Sequence, residues 1–456
     1  MQEYQEIHRR NYFDADMFKF ILLVSLFRFA LDWAYKDVVS TAYLYMGFGN
    51  YASFSMSILS WIFLITWSIL FYFHFRNEKN CLLKEIPFFL FLISFVPFTS
   101  LMAFGMYDST FIVWNLIYWV VLVLCTRDGK HHINRINFCV NRKSSPVLGD
   151  IQLKAIATLS ILIVIYISGK YANFRLNFNL SKVYDLRADA SAFSLPTVLD
   201  YAFAWTRMLN SILLAYFLKK RYYAWAIICF ITQLFNFSID GSKVTLFLLV
   251  FAVLINIIPK ISMHQMNTLA LVGLSGLILI CMGLYKTQGD IMPISILVRR
   301  VFFIPARIQS HYFDFFTTHT PDYFRQSFLR YFGAKSPYPR IPLLIAEEYS
   351  KNQMNANNGL ISDAVTNLGY IGIFVMPLLL SAVLRLLDAV SEGLDDRVYI
   401  TVALYVAVTL TNSFLFTVLM THGLLVTMVV LKLMRRDESS KKTIKYRLRH
   451  ISVESD

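Results

Sequence analysis

Apolar stretches of membrane-spanning length recur along the whole chain, and nothing else in the sequence limits the fold as strongly. A helix needs about 17–25 predominantly apolar residues to cross the hydrocarbon core of a bilayer. Such stretches lie at 18–36, 54–75, 86–104, 108–126, 150–168, 198–218, 222–239, 243–259, 267–285, 368–387, 398–413 and 415–434. The expected fold is all-α, a polytopic membrane bundle of about twelve spans. The region 398–434 is the least regular, because "LTNS" interrupts it; it reads as two short helices or as one span with a re-entrant piece. With 57% hydrophobic and 16% charged residues, the chain has too little polar surface for a water-soluble globule. The start, "MQEYQEIHRRNYFDADMFKF", is polar and runs into the first span, without the pattern of a cleaved signal peptide.

Charge orients the bundle. The loops "RNEKNCLLKE", "RDGKHHINRINFCVNRK" and "KKR" and the tail "RRDESSKKTIKYRLRH" are basic, so they and both termini are expected on the cytoplasmic side. The loop "DAVSEGLDDR" is acidic and departs from the pattern, although acids count little in this rule. The net charge of +14 would suggest nucleic acid in a soluble protein; here basic loops and anionic headgroups account for much of it, and no nucleic-acid partner is expected. The chain then divides into spans 1–9 within 1–285 (with an exterior loop at 169–197), a long exterior segment at 286–367, spans 10–12 within 368–434, and a basic cytoplasmic tail at 435–456. Both exterior segments are basic against the rule, which calls for an anionic ligand. Cys81, Cys125, Cys139, Cys229 and Cys281 lack metal-ligand spacing and read as small hydrophobes, not as a disulfide framework.

The long exterior segment has its own pattern. "ISILVRRVFFIPARIQSHYFDFF" carries apolar residues at helical spacing, with Pro305 as a kink or break and arginines between them. It is too charged to span and fits an amphipathic helix at the membrane surface or docked on the bundle. Arg300, Arg307 and His311 share one face at i, i+7 and i+11, with Arg299 beside them. Arginine forks bind phosphate in a bidentate manner and stay charged, so this cluster suits a diphosphate-lipid headgroup; the alternative is an interfacial helix touching ordinary lipid phosphates. His311 is a candidate general base, or else an interfacial histidine bonded to backbone. "KVYDLR" offers Arg187 to an anion, or a solvated salt bridge. "SIDGSKVTLF" sets Asp240, Ser242 and Lys243 at the outer mouth of two helices, where Lys243 either snorkels or faces a cavity. Arg28 and Asp32, one turn apart, neutralise each other, whereas Arg207 has no obvious partner.

Two loops complete the candidate set. "KSPYPRIPLLIAEEY" brings Tyr338 and Tyr349 with Glu347 and Glu348, the aromatic and acidic groups of a sugar groove or of any interfacial loop. "NANNGLISDAVTNLGYIGI" enters the next span through turn-forming Asn357, Asn358 and Gly359. Asp363 follows in the first turns and Asn367 one turn later, so both face one side. Asp363 then either pairs with an arginine of the loop or meets substrate. Gly369 and Gly372 allow close helix packing. Motifs of nucleotide-fuelled or metal-centred enzymes are missing from the chain, so no cofactor and no metal site is expected.

In this order, "VYDLR", "DGSKVTLF", "RRVFFIPARIQSHYFDFF" and "FGAKSPYP" followed by "IAEEY" and "NANNGLISDAVTNLGYIG" resemble the Wzy-type oligosaccharide repeat-unit polymerases of bacterial O-antigen, enterobacterial-common-antigen and capsule pathways. The resemblance covers most of residues 180–373. It implies a GT-C-like glycosyltransferase of the bacterial cytoplasmic membrane, moving a growing glycan from undecaprenyl diphosphate onto a new lipid-linked repeat unit on the outer side. It also implies membrane lipid, a chain-length regulator and a flippase as partners. Arg187, Lys243, Arg299, Arg300 and Arg307 would stabilise the departing diphosphate, and His311 or Asp363 would take the acceptor proton. Tyr312, Tyr338, Tyr349, Asn358 and Asn367 would hold sugar. An O-antigen ligase uses the same donor, and a lipid-linked oligosaccharide flippase is the non-enzymatic alternative; the absence of a sequence repeat disfavours the flippase.

Overall fold

The computed structural model describes residues 2–76, 82–127, 146–177, 186, 189–190, 192–258, 263–350 and 355–436. Among these residues there is no strand. The helices are α1 (Gln2–Ala34), α2 (Phe54–Arg76), α3 (Leu82–Ala103), α4 (Ser109–Thr126), α5 (Pro146–Ala172), α6 (Thr197–Lys219), α7 (Tyr223–Asp240), α8 (Lys243–Ile257) and α9 (Met263–Gln288). After these come α10 (Ile304–Thr318), α11 (Ile341–Ser350), α12 (Ile361–Ser391), α13 (Asp396–Asn412), α14 (Leu415–Met420) and α15 (Leu424–Leu433).

Seven of these helices are long and apolar enough to cross a membrane, in α2, α3, α4, α5, α7, α9 and α12. Their outer faces carry large apolar side chains in the open, such as Leu159 and Leu162 on α5, Ile280 on α9 and Ile371 on α12. Water would not tolerate that much exposed apolar surface, and lipid does. The expected spans 18–36, 198–218, 243–259 and 398–413 also fall on helices. The stretch 415–434 is not one helix: α14 and α15 are separated at Gly423, whose φ of +77° breaks the turn. The chain also leaves helical geometry at Ser413, where the interrupting "LTNS" ends.

The bundle is built around α3. Its apolar window is entirely buried, against 28% for α9, so α3 is walled by protein instead of lipid. Helices α2, α12 and α13 pack on it. Two of the proline positions shape the backbone in the same way. Pro97 and Pro305 lack the N–H that would close the preceding turn, and their rings crowd its carbonyl. In each case the turns just before widen into π-helix, over Phe91–Phe95 and Ile294–Phe303. The helix then continues, so Pro305 reshapes the long segment and does not end it.

The acidic loop that departs from the charge pattern is neutralised locally. Asp388 accepts the Leu82 N–H at 2.7 Å and Asp395 pairs with Lys219 at 2.5 Å. Asp150, at the same end, pairs with Arg435 at 2.6 Å. The thiols of Cys125, Cys229 and Cys281 are free.

Candidate functional site

The arginine-rich segment does not lie on the surface. Helix α10 docks into the bundle against α12, with Ala306, Tyr312, Phe313 and Phe316 buried. Polar side chains fix its register: Gln309 donates to Ser94 at 3.0 Å in the widened turn of α3 and accepts from Asn115 of α4 at 3.2 Å. Docking turns the charged face toward one end of the bundle, where the turns after α1, α3 and α9 meet.

Two of the arginines there are held by neutral groups. Arg299 is 6% exposed; it donates to Ser295 at 3.0 Å and lies 4.0 Å over the Tyr43 ring. Its Nε is buried with no partner. Arg307 donates through Nη1 to the Met106 carbonyl and to Ser310, and its Nε is likewise buried and unpartnered. Among the described residues neither forms an ion pair with a carboxylate. A buried guanidinium without a counter-ion is costly, and an incoming anion would relieve that cost. Arg300 is half-buried on the same segment.

His311 follows one turn after Arg307 and stacks on Tyr349 of α11, with ring centroids 4.6 Å apart at 8°. Burial, with the Arg307 charge in support, pushes its pKa down to about 3. His311 is therefore a neutral imidazole at ordinary pH, and a weak base. Asp314, three residues on, was not among the residues singled out from sequence. It is half-buried, and burial together with the neighbouring Asp108 pushes its pKa up to about 6 while Arg307 opposes the rise. Tyr349 is raised to about 12 by burial and by Asp314 and Glu348. The signal for Asp314 was present, since it continues the face of Arg307 and His311 at i+7 and i+3.

An open pocket of about 740 Å³ lies at the same end, lined in part by Lys36, Asp37, Ser40, Tyr51 and Lys286. Tyr51 is bonded through its backbone to Phe104 at 3.0 Å, close in the chain to the Met106 carbonyl that holds Arg307.

The "NANNGLISDAVTNLGYIGI" stretch is a different kind of object. Asn358 donates to the Pro305 carbonyl at 2.7 Å, and Tyr312 donates to the Ala356 carbonyl at 3.0 Å. Asp363 is 2% exposed, with one carboxylate oxygen accepting the Leu415 N–H at 2.6 Å and the other the Asn367 amide at 2.7 Å. It caps the first turn of α14. Asp363 pairs with no arginine, and each of its oxygens accepts a hydrogen bond from the protein. Gly369, at φ +58° and ψ −143°, kinks α12. The kink leaves the carbonyls of Thr366 and Asn367 free to accept Asp322 and Tyr323 N–H at 2.7 and 3.2 Å, while the Asn367 side chain accepts Phe324 N–H at 2.9 Å. A Cβ on Gly359 or Gly372 would collide with the carbonyl oxygen of Leu410 or Ala364. The polar residues of this stretch tie α10, α12 and α14 together. Asn358, Asn367 and Tyr312 are thus not free to hold sugar.

Of the remaining candidates, Tyr338 packs on Phe315 and Phe316 and donates to the Thr320 carbonyl at 2.6 Å, closing its own loop. Arg187 lies outside the described residues, and Lys243 begins α8. Arg207, which showed no partner in sequence, pairs with Asp240 at 3.0 Å. Arg28 pairs with Asp32 at 2.7 Å as their spacing predicts, and also donates to Thr99 and Ser60. Among the described residues no cluster of His, Cys, Asp or Glu is placed to hold a metal ion.

The fold and site together define a helical membrane protein with two arginines at one end, Arg299 and Arg307, that form no ion pair among the described residues. Comparison with protein-family models, with curated proteins and with solved structures finds no match to this chain.

Proposed function

We propose that this chain is a bacterial cell-envelope polysaccharide polymerase. It transfers a growing glycan from undecaprenyl diphosphate to the next undecaprenyl-diphosphate-linked repeat unit. In this reading the bundle has about twelve spans of GT-C-like arrangement, sits in the cytoplasmic membrane with both termini inside, and opens its arginine end to the exterior. The observation that carries the proposal is Arg307, held by a backbone carbonyl and a serine hydroxyl and, among the described residues, in ion-pair contact with no carboxylate. Arg299 and its orphaned Nε add a second such cation. The reaction develops charge on a departing diphosphate, and fixed cations in a low-dielectric site are what stabilise it. The order of motifs along residues 180–373 supports the same reading. The partners that follow are the lipid-linked oligosaccharide, membrane lipid, and the flippase and chain-length regulator of the same pathway.

The test is a reconstitution. Purified protein in liposomes receives the undecaprenyl-diphosphate-linked repeat unit and no nucleotide sugar, and products are resolved on a gel. A ladder of repeat units is expected from wild type. Transfer only onto added lipid A core would replace the polymerase with a ligase. Movement of the lipid-linked sugar across the bilayer without transfer would replace it with a flippase.

A further inference from the structure

We infer that Asp314 is the catalytic base of this site, the group that takes the proton from the acceptor sugar hydroxyl. The inference rests on the transferase reading above. Asp314 continues the face of α10 that carries Arg307 and His311, is half-buried, and lies within electrostatic range of Arg307. Its backbone carbonyl accepts from Thr317 and Thr318, but among the described residues its carboxylate makes no hydrogen bond and no ion pair. An acid in that position is free to engage a substrate. The charged groups that act on it are Asp108, from the turn before α4, and Arg307 on its own helix, where His311 lies one turn earlier; its charge in turn acts on Tyr349 of α11, beside Glu348. Among the described residues no charged group of α12 contributes to its surroundings.

The two other acid–base candidates are disqualified on geometry or basicity. Both oxygens of Asp363 are occupied deep in the core, and His311 is held neutral by burial beside Arg307. Asp314 is tuned the other way. Burial and the like charge of Asp108 raise its pKa to about 6, close to the working pH, where a general base is most effective. In the step itself, the Asp314 carboxylate accepts the hydroxyl proton as the acceptor oxygen bonds to the anomeric carbon of the donor. The bond from that carbon to the diphosphate oxygen breaks, and its electron pair leaves on the diphosphate beside Arg307. The proton ends on Asp314 and the charge on the lipid diphosphate, so no further reactant is needed.

The experiment measures kcat, KM and melting temperature across pH 5–8 for wild type, Asp314→Asn, Asp314→Glu and Asp108→Asn, with the lipid-linked repeat unit as probe. For wild type, kcat/KM should climb with pH to a plateau above about 6, as the base loses its proton. Asp314→Asn should lose about 10²–10⁴-fold in kcat with KM and melting temperature kept, and Asp314→Glu should recover part of that loss. Asp108→Asn should move the rising limb to lower pH, because it removes a like charge. Wild-type kcat in Asp314→Asn, or a limb that stays in place in Asp108→Asn, would overturn the assignment. A wild-type protein that makes no ladder at all would remove the transferase reading; a ladder from both wild type and Asp314→Asn would remove only Asp314.

Discussion

Two polar regions touch α10 from different sides, and they differ in how their amide and charged side chains are partnered, although Thr366 Oγ1 in the first is buried without a partner. In the 355–369 stretch, Asn358, Asp363 and Asn367 each engage partners on other elements of the protein. On α10 and the widened turns before it, Arg299 and Arg307 keep buried nitrogens without partners, and the carboxylate of Asp314 is unbonded among the described residues. Buried polar groups that are satisfied hold structure together, whereas unsatisfied ones cost stability and persist where function needs them. The first region is therefore read as a clasp and the second as a site. The sequence shows equal chemistry in both, so only the bookkeeping of partners separates them.

Substitutions in the two regions should split cleanly. Arg307→Ala should lower transfer by about 10²–10³-fold, the usual cost of losing one preorganised charge donor, while the melting temperature moves by only a few degrees. Asp363→Ala should do the reverse: the Leu415 N–H and the Asn367 amide lose a buried acceptor, at a cost of about 3 kcal/mol in stability, with activity per folded molecule preserved. Differential scanning fluorimetry alongside the ladder assay would read both. Gly369→Ala should cost about 2 kcal/mol, since φ +58° with ψ −143° is open to glycine and strained for any side chain; a melting temperature equal to wild type would remove the kink from the clasp.

The smallest effect should come from His311→Phe, which keeps an aromatic ring against Tyr349 and should leave activity within about tenfold of wild type. It should also change the pH dependence of stability. Below about pH 6.5 the unfolded chain binds a proton at this position, whereas the folded chain does not until about pH 3. The unfolded state thus holds more protons in that window, and wild-type stability falls as pH falls through it. His311→Phe should flatten that decline, and an unchanged slope would mean that His311 is not held neutral.

What could be read from the sequence was whatever repeats locally. Apolar runs located helices, and the i, i+4 spacing of Arg28 and Asp32 announced their ion pair. The helical face of Arg307 and His311 was visible too, and extending it one more turn would have reached Asp314. The rest depended on contacts between distant segments. The partner of Asp363 is a backbone N–H 52 residues away, which no side-chain pattern marks. The partner of Arg207 is on the neighbouring helix, at Asp240. The stretch 415–434 reads as a single apolar run, yet its break depends on one positive φ at Gly423. Docking of α10 on the bundle was one of two readings the sequence left open, because the groups that fix it, Ser94, Asn115 and Gln309, come from three helices.

The most direct test of the account is the amount of ladder formed per folded molecule by Arg307→Ala in liposomes with the lipid-linked repeat unit. The account predicts a folded protein, melting within a few degrees of wild type, that makes almost no ladder. A folded Arg307→Ala protein with a wild-type ladder would contradict it, because Arg307 would then be doing no chemistry.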